Sequence, residues 1–337
     1  MKPAYLYSTA PMMDWTDRHW RVFARTLTRH ALLYTEMVTA AAIVHGNLDY
    51  LTAHDPREYP LALQLGGSTP AELAEAVRRV RTLGFCEINL NLGCPSDRVQ
   101  AGSFGAALMA DPNRVSACLM AMQEAAGATG PEITAKIRLG IDDQNEEDTL
   151  PAFIQMLDHI GIQRIIIHAR KAILGGLSPK QNREIPPLNY PLVYQIKKQF
   201  PHRTIILNGG LNSTQQCQEQ LAQVDGVMVG RHAYQHPTSL LDVDPVFFGV
   251  SAPASSMFAA LDHYRPYVER GLKEGLPLKH FTRHLVGLFH EVPGARLFRR
   301  TLSETAHRPD ADWSVVDSAL NYIQSSARDV HDPRLAT

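Results

Sequence analysis

Eight short runs of apolar and β-branched residues recur along the first 230 residues of the chain, and segments with helical periodicity separate them. The runs are residues 5–9, 32–38, 61–65, 85–92, 133–139, 164–169, 204–207 and 226–229. Eight strands that alternate with helices over roughly 240 residues match a (β/α)8 barrel in length and rhythm. An open, doubly wound sheet is the alternative, but it requires a glycine-rich phosphate turn after its first strand. The sequence there is Ala10-Pro-Met-Met-Asp14, so we predict the α/β TIM barrel.

Three helix starts are signalled by local sequence. The segment 69–72 (Thr-Pro-Ala-Glu) matches a capping box with proline at the first helical position. Asp111 before a proline, and Ser213 followed by Gln216, predict two more starts. These helices fill the connections between predicted strands, as a barrel requires.

Composition excludes several classes of protein. Of the 337 residues 45% are hydrophobic and 20% are charged, and the formal net charge is −1, so no global field indicates nucleic acid binding. We find neither a secretion signal nor an apolar run long enough to cross a membrane, and we expect a cytoplasmic protein. The four cysteines lack CxxC spacing. His280 and His284 lie at i and i+4 on a helix that we expect to be exposed, without a third ligand, so we predict neither disulfides nor a metal.

A row of polar residues marks the ends of five consecutive predicted strands. Active sites of such barrels lie at the C-terminal ends of the strands. A buried polar group without a partner costs about 1–3 kcal/mol, and a charged lysine costs more. One polar residue near a strand end is commonly a hydrogen-bonded core residue, but five together predict a site. In strand order they are Gln64, Asn91, Lys136, His168 and Asn208.

The fourth predicted strand ends in Asn89-Leu-Asn-Leu-Gly-Cys-Pro-Ser96, which turns sharply and presents Cys94. A small thiol in a tight turn can be purely structural, and we expect Cys118 and Cys217, on apolar helical stripes, to be core thiols. Cys94 follows a strand with a polar face, which favours a chemical role. Glycines at 102 and 105, after residues 97–100, predict a mobile loop that closes Cys94 over a substrate.

Strands seven and eight end in the segments Asn208-Gly209-Gly210 and Gly230-Arg231, where these barrels hold phosphate. Glycines let backbone N–H groups approach an anion closely, and the arginine adds charge-assisted donors. Paired glycines are ordinarily turns, but their position after both strands predicts a phosphorylated ligand.

After residue 229 the strand pattern stops, and residues 236–253 form a Pro- and Asp-rich stretch that predicts a linker, within which we place the domain boundary at 244/245. Between residues 264 and 308 there are nine Lys or Arg against four Asp or Glu. Such runs are normally solvated helix faces, but Arg296, Arg299 and Arg300 lie at i, i+3 and i+4 and share a face. A second basic segment, residues 170–183, follows strand six. Together these segments predict contacts with a polyanion.

The motifs resemble those of the flavin-dependent tRNA-dihydrouridine synthases across nearly the whole chain. They are the motifs at 10–14 and 89–96, Lys136-Ile-Arg-Leu-Gly, Ile167-His-Ala-Arg, Asn208-Gly-Gly and Gly230-Arg, and the run 168–188 is similar to the A-type bacterial members. The resemblance implies a catalytic barrel (1–244) that carries FMN, a helical tRNA-binding domain (245–337), NADPH as reductant, and uridines 20 and 20a of the D-loop as substrate. We expect a monomer.

The resemblance also implies roles for individual residues. Cys94 is the implied proton donor. The residues implied to hold FMN are Pro11, Met12, Met13, Gln64, Lys136, His168, Asn208, Gly209, Gly210, Gly230 and Arg231. Asn91 is an implied contact to the uracil base. The implied tRNA contacts are Gln181, Arg183, Arg296, Arg299 and Arg300.

The chemistry agrees with these roles. The C5=C6 bond of uracil is conjugated to a carbonyl, so hydride from reduced flavin goes to C6 and a proton must reach C5. A thiol that is mostly protonated at neutral pH can supply that proton. Lys136 suits the edge of the flavin ring where negative charge collects on reduction. Three alternatives stay open: a related FMN barrel acting on a small pyrimidine, a barrel aldolase with a Lys136 Schiff base, and a non-catalytic tRNA-binding protein.

Overall fold

The computed structural model describes residues 2–96, 102 and 104–327. Within them eight parallel strands form one sheet in the order β1-β8-β7-β6-β5-β4-β3-β2. Their bounds are β1 Tyr7–Thr9, β2 Leu33–Thr39, β3 Leu61–Gly66, β4 Glu87–Leu92, β5 Glu132–Arg138, β6 Arg164–His168, β7 Thr204–Asn208 and β8 Gly226–Val229. All eight predicted strands are present, and the barrel prediction is confirmed.

Strands β1 and β2 bring the two ends of the sheet together. Thr9 donates its backbone N–H to Leu32 O at 3.0 Å, and Leu32 donates to Tyr7 O at 3.0 Å, around an isolated parallel bridge between Ser8 and Leu32. Side chains therefore alternate between the barrel interior and the surrounding helices. On β4, Asn89 faces inward, where its side chain bonds to residues of β3 and β5.

Helices fill the connections between the strands and continue after β8. Those up to β8 are α1 Arg18–Leu27, α2 Ala40–His45, α3 Leu48–Leu51, α4 Pro70–Val80, α5 Pro112–Ala126, α6 Glu146–His159, α7 Tyr190–Gln199 and α8 Thr214–Gln220. The later ones are α9 Arg231–Gln235, α10 Met257–Lys273, α11 Lys279–Thr282, α12 Ala295–Thr305 and α13 Ser314–Ala327.

The three predicted helix starts have different outcomes. Asp111 caps α5 by accepting from the N–H of Arg114, and Ser213 caps α8 by accepting from the N–H of Gln216, as predicted. Helix α4 begins after Thr69 as predicted, but the Thr69 side chain makes no capping hydrogen bond. The capping-box prediction was therefore wrong, although the proline at N1 has a φ suited to a helix start.

The chain divides into two compact units. The first consists of Met1–Met13, Leu32–His54 and Tyr59–Gly230. The second consists of Asp14–Ala31, Asp55–Glu58 and Arg231–Thr337. This division differs from the expected one in two ways. The first unit ends at 230, ahead of the expected 244/245, and α1 is grouped with the C-terminal helices.

Much of the segment expected to be a linker, residues 236–253, is helical and partly buried. It forms a 3-10 helix at Pro237–Asp242 and a π-helical turn at Asp244–Phe248. Asp244 is fully buried and accepts hydrogen bonds from the Thr28 hydroxyl at 2.7 Å and the Arg29 N–H at 2.6 Å. Its carboxylate thereby satisfies donors just beyond the end of α1. Proline content alone misidentified this segment.

The second unit has an aromatic core of its own. Phe23 of α1 and Tyr264 of α10 are both buried, with ring centroids 5.4 Å apart. His284, expected on an exposed helix, is buried, and its Nε2 lies 2.9 Å from an Asp17 carboxylate oxygen. That expectation was wrong because α11 ends at Thr282, so that His284 lies beyond the helix and is buried beside Asp17.

Candidate active site at the carboxyl ends of the strands

The turn after β4 is built around one amide side chain. The Oδ1 of Asn91 accepts the backbone N–H groups of Gly93 and Cys94, each at 3.0 Å. The Cys94 carbonyl accepts from Ala106 N at 2.9 Å. The thiol is half-buried and lies 3.4 Å from the Ser96 hydroxyl, to which it donates. An accessible thiol is thus held at a fixed position at the barrel mouth.

Three cationic or basic side chains lie near this turn without a carboxylate among their perturbing groups. Burial, followed by the charge of Arg138, lowers the pKa of Lys136 to about 7, and the Cys94 thiolate form opposes that shift. Burial lowers the pKa of Arg138 to about 10. Burial, with the charges of Arg138 and Lys136, also holds the pKa of His168 well below its usual range. The site is therefore short of negative charge.

His168, at the end of β6, has an unmet hydrogen-bond requirement. The Nδ1 atom of His168 is buried and has no hydrogen-bond partner among the described residues. Gly209 has a φ of +106°, and a Cβ there would lie 3.2 Å from the His168 ring, so only glycine fits without strain. The Asn208 amide donates to Met228 O at 2.7 Å, and the Tyr190 hydroxyl donates to Gly209 O.

The remaining predicted cofactor residues follow β1, β3 and β8. Pro11 and Met12 are half-buried, and Met13 is exposed. Gly230 lies against Met12, since a Cβ there would be 3.7 Å from its sulfur. Gln64 is buried and bonds within the barrel interior. Arg231 is the first residue of α9 and belongs to the second unit. Their roles toward FMN stay predictions.

Arg138 and Asn182 are residues whose importance the sequence analysis missed. Arg138 donates to Gly93 O at 3.1 Å and to Asn182 O at 3.0 Å. The buried Asn182 side chain in turn bonds to both backbone polar groups of Ile173. Arg138 thus ties the Cys94 turn to the segment after β6. The signal was available, because Arg138 lies two positions after Lys136 and so shares its face of β5.

The predicted tRNA-contact residues are all on the surface, in two separate places. Gln181 and Arg183 are exposed in the first unit, and the side-chain Oε1 of Gln181 accepts from the N–H and hydroxyl of Ser178. Arg296 on α12 is exposed and Arg299 is half-buried.

Arg300, on the same helix, is exposed but pairs with Glu304 at 2.9 Å. No ion pair is present for Arg296 or Arg299 within the part of the chain that the structure describes. Their contacts with tRNA stay predictions.

The other predictions concern the mobile loop, a metal site, a membrane span and the remaining cysteines. Residues 97–101 and 103, the centre of the expected mobile loop, lie outside the described residues. Among the described ones, no cluster of three or more His, Cys, Asp or Glu has the arrangement of a metal site. Within the same residues, no helix has both the length and the hydropathy of a membrane span. Cys118 and Cys217 are buried, as predicted for core thiols.

The donor set fits an anionic, ring-bearing cofactor. The half-buried Lys136 and the buried Arg138 have no carboxylate among the groups that shift their pKa values, and the Nδ1 atom of His168 has no partner among the described residues. The two glycines after β7 both have positive φ and carry no side chains of their own. Such a combination stabilises phosphate and a polar ring edge.

Comparison with known proteins agrees with this arrangement. The dihydrouridine synthase family model matches residues 8–324. The tRNA-dihydrouridine(20/20a) synthase of Salmonella typhi is 52% identical over 322 residues, covering 95% of this chain and 96% of that protein. The protein of the same name from Escherichia coli strain K12 is 51% identical over 318 residues, 94% of this chain and 91% of its own length. That from Shewanella oneidensis is 51% identical over 319 residues, 95% and 94% respectively.

Proposed function

The chain belongs to the dihydrouridine synthase family, and we propose that it reduces the C5=C6 bond of uridines 20 and 20a in the tRNA D-loop, with FMN as cofactor and NADPH as reductant. It is a flavin-dependent oxidoreductase, as its family is. The aldolase alternative is therefore set aside. The observation that carries the proposal is the accessible Cys94 thiol at the barrel mouth near Lys136, Arg138 and His168, whose pKa values are lowered with no carboxylate among the groups that shift them.

The residues for FMN divide between its phosphate and its ring. We propose that backbone groups of Gly209, Gly210 and Gly230 bind the phosphate and that Arg231 supplies a cation. Lys136 is placed to neutralise negative charge at the ring edge, and His168 Nδ1 gains a partner from the ligand. When bound, the reduced flavin supplies the hydride.

Cys94 then acts as an acid. Hydride addition at C6 of a conjugated ring leaves negative charge toward C5, which must accept a proton. The Cys94 thiol donates it, and Asn91 keeps the thiol in place through the Gly93 and Cys94 N–H groups. A fixed donor avoids the entropy cost of finding the proton in each turnover. The nearby Lys136 stabilises the thiolate that is left.

Two basic surfaces support tRNA as the substrate. Arg183 and Lys180 are exposed in the segment after β6, on the active-site side of the barrel. On α12, Arg296 and Arg299 are without carboxylate partners among the described residues, so their charge is available to phosphates. We propose that each surface contacts the tRNA backbone, while an unstacked base of the D-loop enters the site beside Cys94.

The test uses the Cys94→Ala variant with Cys86→Ala as its matched control. Cys86 is an exposed thiol immediately before β4, and its S–H is bonded to Leu61 O at 3.3 Å. We expect Cys94→Ala to retain bound flavin and its reduction by NADPH but to lose dihydrouridine formation at least a hundredfold. Cys86→Ala should behave as the unmodified protein. Near-normal dihydrouridine formation by Cys94→Ala would refute the acid role.

A further inference from the structure

A continuous line of side-chain hydrogen bonds runs through the barrel interior from the Cys94 turn to the opposite end of β4. Asn91 Nδ2 donates to Gln64 Oε1 at 2.9 Å, and Gln64 Nε2 donates to Asn89 Oδ1 at 2.8 Å. Asn89 Nδ2 then donates to the Thr134 hydroxyl at 2.8 Å, and that hydroxyl donates to the Glu87 carboxylate. The two ends of this line, Glu87 and Asn91, are four positions apart on β4, which is about 13 Å.

The direction of every bond follows from the charge at the far end. The Glu87 carboxylate is fully buried and lies 3.0 Å from a guanidinium nitrogen of Arg164, and the Tyr34 hydroxyl also donates to it. Burial raises the pKa of Glu87, and the Arg164 charge opposes that rise. Because Glu87 is paired with Arg164, we take it to be ionised; a carboxylate only accepts hydrogen bonds, so Thr134 donates to it and accepts from Asn89.

The same donor–acceptor argument fixes the orientation of the side-chain amides of Asn89 and Gln64. Because Asn89 uses its NH₂ for Thr134, its oxygen faces Gln64, and Gln64 must present its NH₂ to that oxygen. The Gln64 oxygen is then left for Asn91. Asn91 therefore directs its NH₂ into the interior and its oxygen toward the backbone N–H groups of Cys94 and the residue before it. The orientation required by the carboxylate is the one that the turn requires.

The line is confined to the strands that support the turn. Elsewhere in the interior the corresponding positions are apolar, with Ala62, Ile166, Ile206 and Met228 forming a buried cluster. A purely structural core would be cheaper with apolar side chains here, since every buried polar group must be paired. The line itself runs along β3, β4 and β5, and Tyr34 of β2 and Arg164 of β6 contact its Glu87 end.

We propose that Glu87, Thr134 and Asn89 are positioning residues. The Glu87 carboxylate fixes the amide of Asn91 through Thr134, Asn89 and Gln64, and so holds the Cys94 thiol where it delivers its proton. This inference depends on the proposed acid role of Cys94, but it makes a separate claim about the order of the turn.

A matched pair of substitutions at one position tests the inference. Thr134→Val has the same volume but no hydroxyl, and it breaks the line between Asn89 and Glu87. Thr134→Ser keeps the hydroxyl and loses only a methyl group. Tyr34→Phe is a further control, because it removes a donor to Glu87 without interrupting the line. If packing alone mattered, Ser would be the more damaging change at 134.

Three quantities are measured on each flavin-loaded protein: kcat and KM for tRNA, the rate of flavin reduction by NADPH, and the alkylation rates of Cys94 and Cys86 by iodoacetamide, followed by peptide mass spectrometry. For Thr134→Val we expect kcat to fall roughly tenfold, the scale of one hydrogen bond. KM and flavin reduction should change less than about twofold. Cys94 alkylation should rise at least about threefold relative to Cys86 because the turn opens more often. Thr134→Ser and Tyr34→Phe should match the unmodified protein.

The outcomes separate this inference from the proposed function. Unchanged Cys94 alkylation and kcat in Thr134→Val would overturn the inference, as would equal losses in Val and Ser. An active Cys94→Ala protein would instead overturn the acid role, whatever Thr134 does. If Thr134→Val does not fold, Asn89→Ser, which is too short to span from Gln64 to Thr134, must give the same changes; an unaltered kcat in that variant would also overturn the inference.

Discussion

The charge state of Lys136 gives the sharpest quantitative prediction. Its pKa is lowered from 10.5 to about 7 by burial and by Arg138. At pH 8 the flavin-free protein should therefore hold only about a tenth of a proton on this amine. The shift corresponds to about 5 kcal/mol against the charged form. The sign follows: between pH 7 and 10.5 the unfolded chain binds the proton and the folded one does not, so stability rises with pH.

Bound reduced FMN should return that proton, because negative charge collects on reduction at the ring edge assigned to Lys136. An opposite charge about 4 Å from an ammonium contributes about 4 kcal/mol at an effective dielectric of 20, or roughly three pKa units. The pKa of Lys136 would then be about 10, and binding at pH 8 should take up about 0.9 proton. At pH 5.5 the amine is already charged, and uptake by this group should be close to zero.

Anaerobic calorimetric titration of flavin-free protein with reduced FMN measures this uptake. Titrations at pH 8 in two buffers of different ionisation enthalpy give the number of protons directly. Lys136→Met should abolish the uptake. Lys171→Met, which removes an amine paired with Glu146 at 3.3 Å, is the matched control and should retain it. Uptake below about 0.3 proton in the unmodified protein, or equal uptake in Lys136→Met, would contradict the electrostatic argument.

Two further predictions concern the second unit. Arg296→Glu combined with Arg299→Glu should weaken tRNA binding and lower the slope of log affinity against log salt by about 1.4–1.8, while NADPH oxidation stays normal. The control Arg300→Glu should change that slope less. Equal slopes in all three proteins would refute the contact between these arginines and tRNA. The hydrogen bond and charge of His284 outweigh burial and hold the pKa of Asp17 well below its usual range, so stability is lost as pH falls below about 4. Asp17→Asn should flatten that acid dependence in urea unfolding, and an unchanged pH profile would show that the pair contributes nothing.

Strand identity and the Cys94 turn were readable from the sequence because both depend on local periodicity. Residues two apart on a strand share a face, so the alternation along β4 placed Asn89 and Asn91 together without coordinates. The five polar strand-end residues follow from the same rule, and their gathering at one end follows from parallel strands. Helix starts at Asp111 and Ser213 were equally local.

Local sequence failed where a long-range partner decided the outcome. The linker prediction failed because Asp244 is buried by donors more than 200 residues earlier in the chain. His284 was misjudged for the same reason, since its partner is Asp17. Proline content and helical spacing carry no information about such partners.

The sequence by itself determined the barrel, its eight strands and the residues that face its mouth, because each depends on spacing along one segment. Only the tertiary structure decided how those side chains are oriented and charged. The lowered pKa of Lys136, the orphan nitrogen of His168 and the one-way line from Glu87 to Asn91 each arise from groups on different strands. A hydrogen bond needs two groups, and burial needs all the surrounding atoms. Both therefore arise only after the strands have come together in the folded barrel.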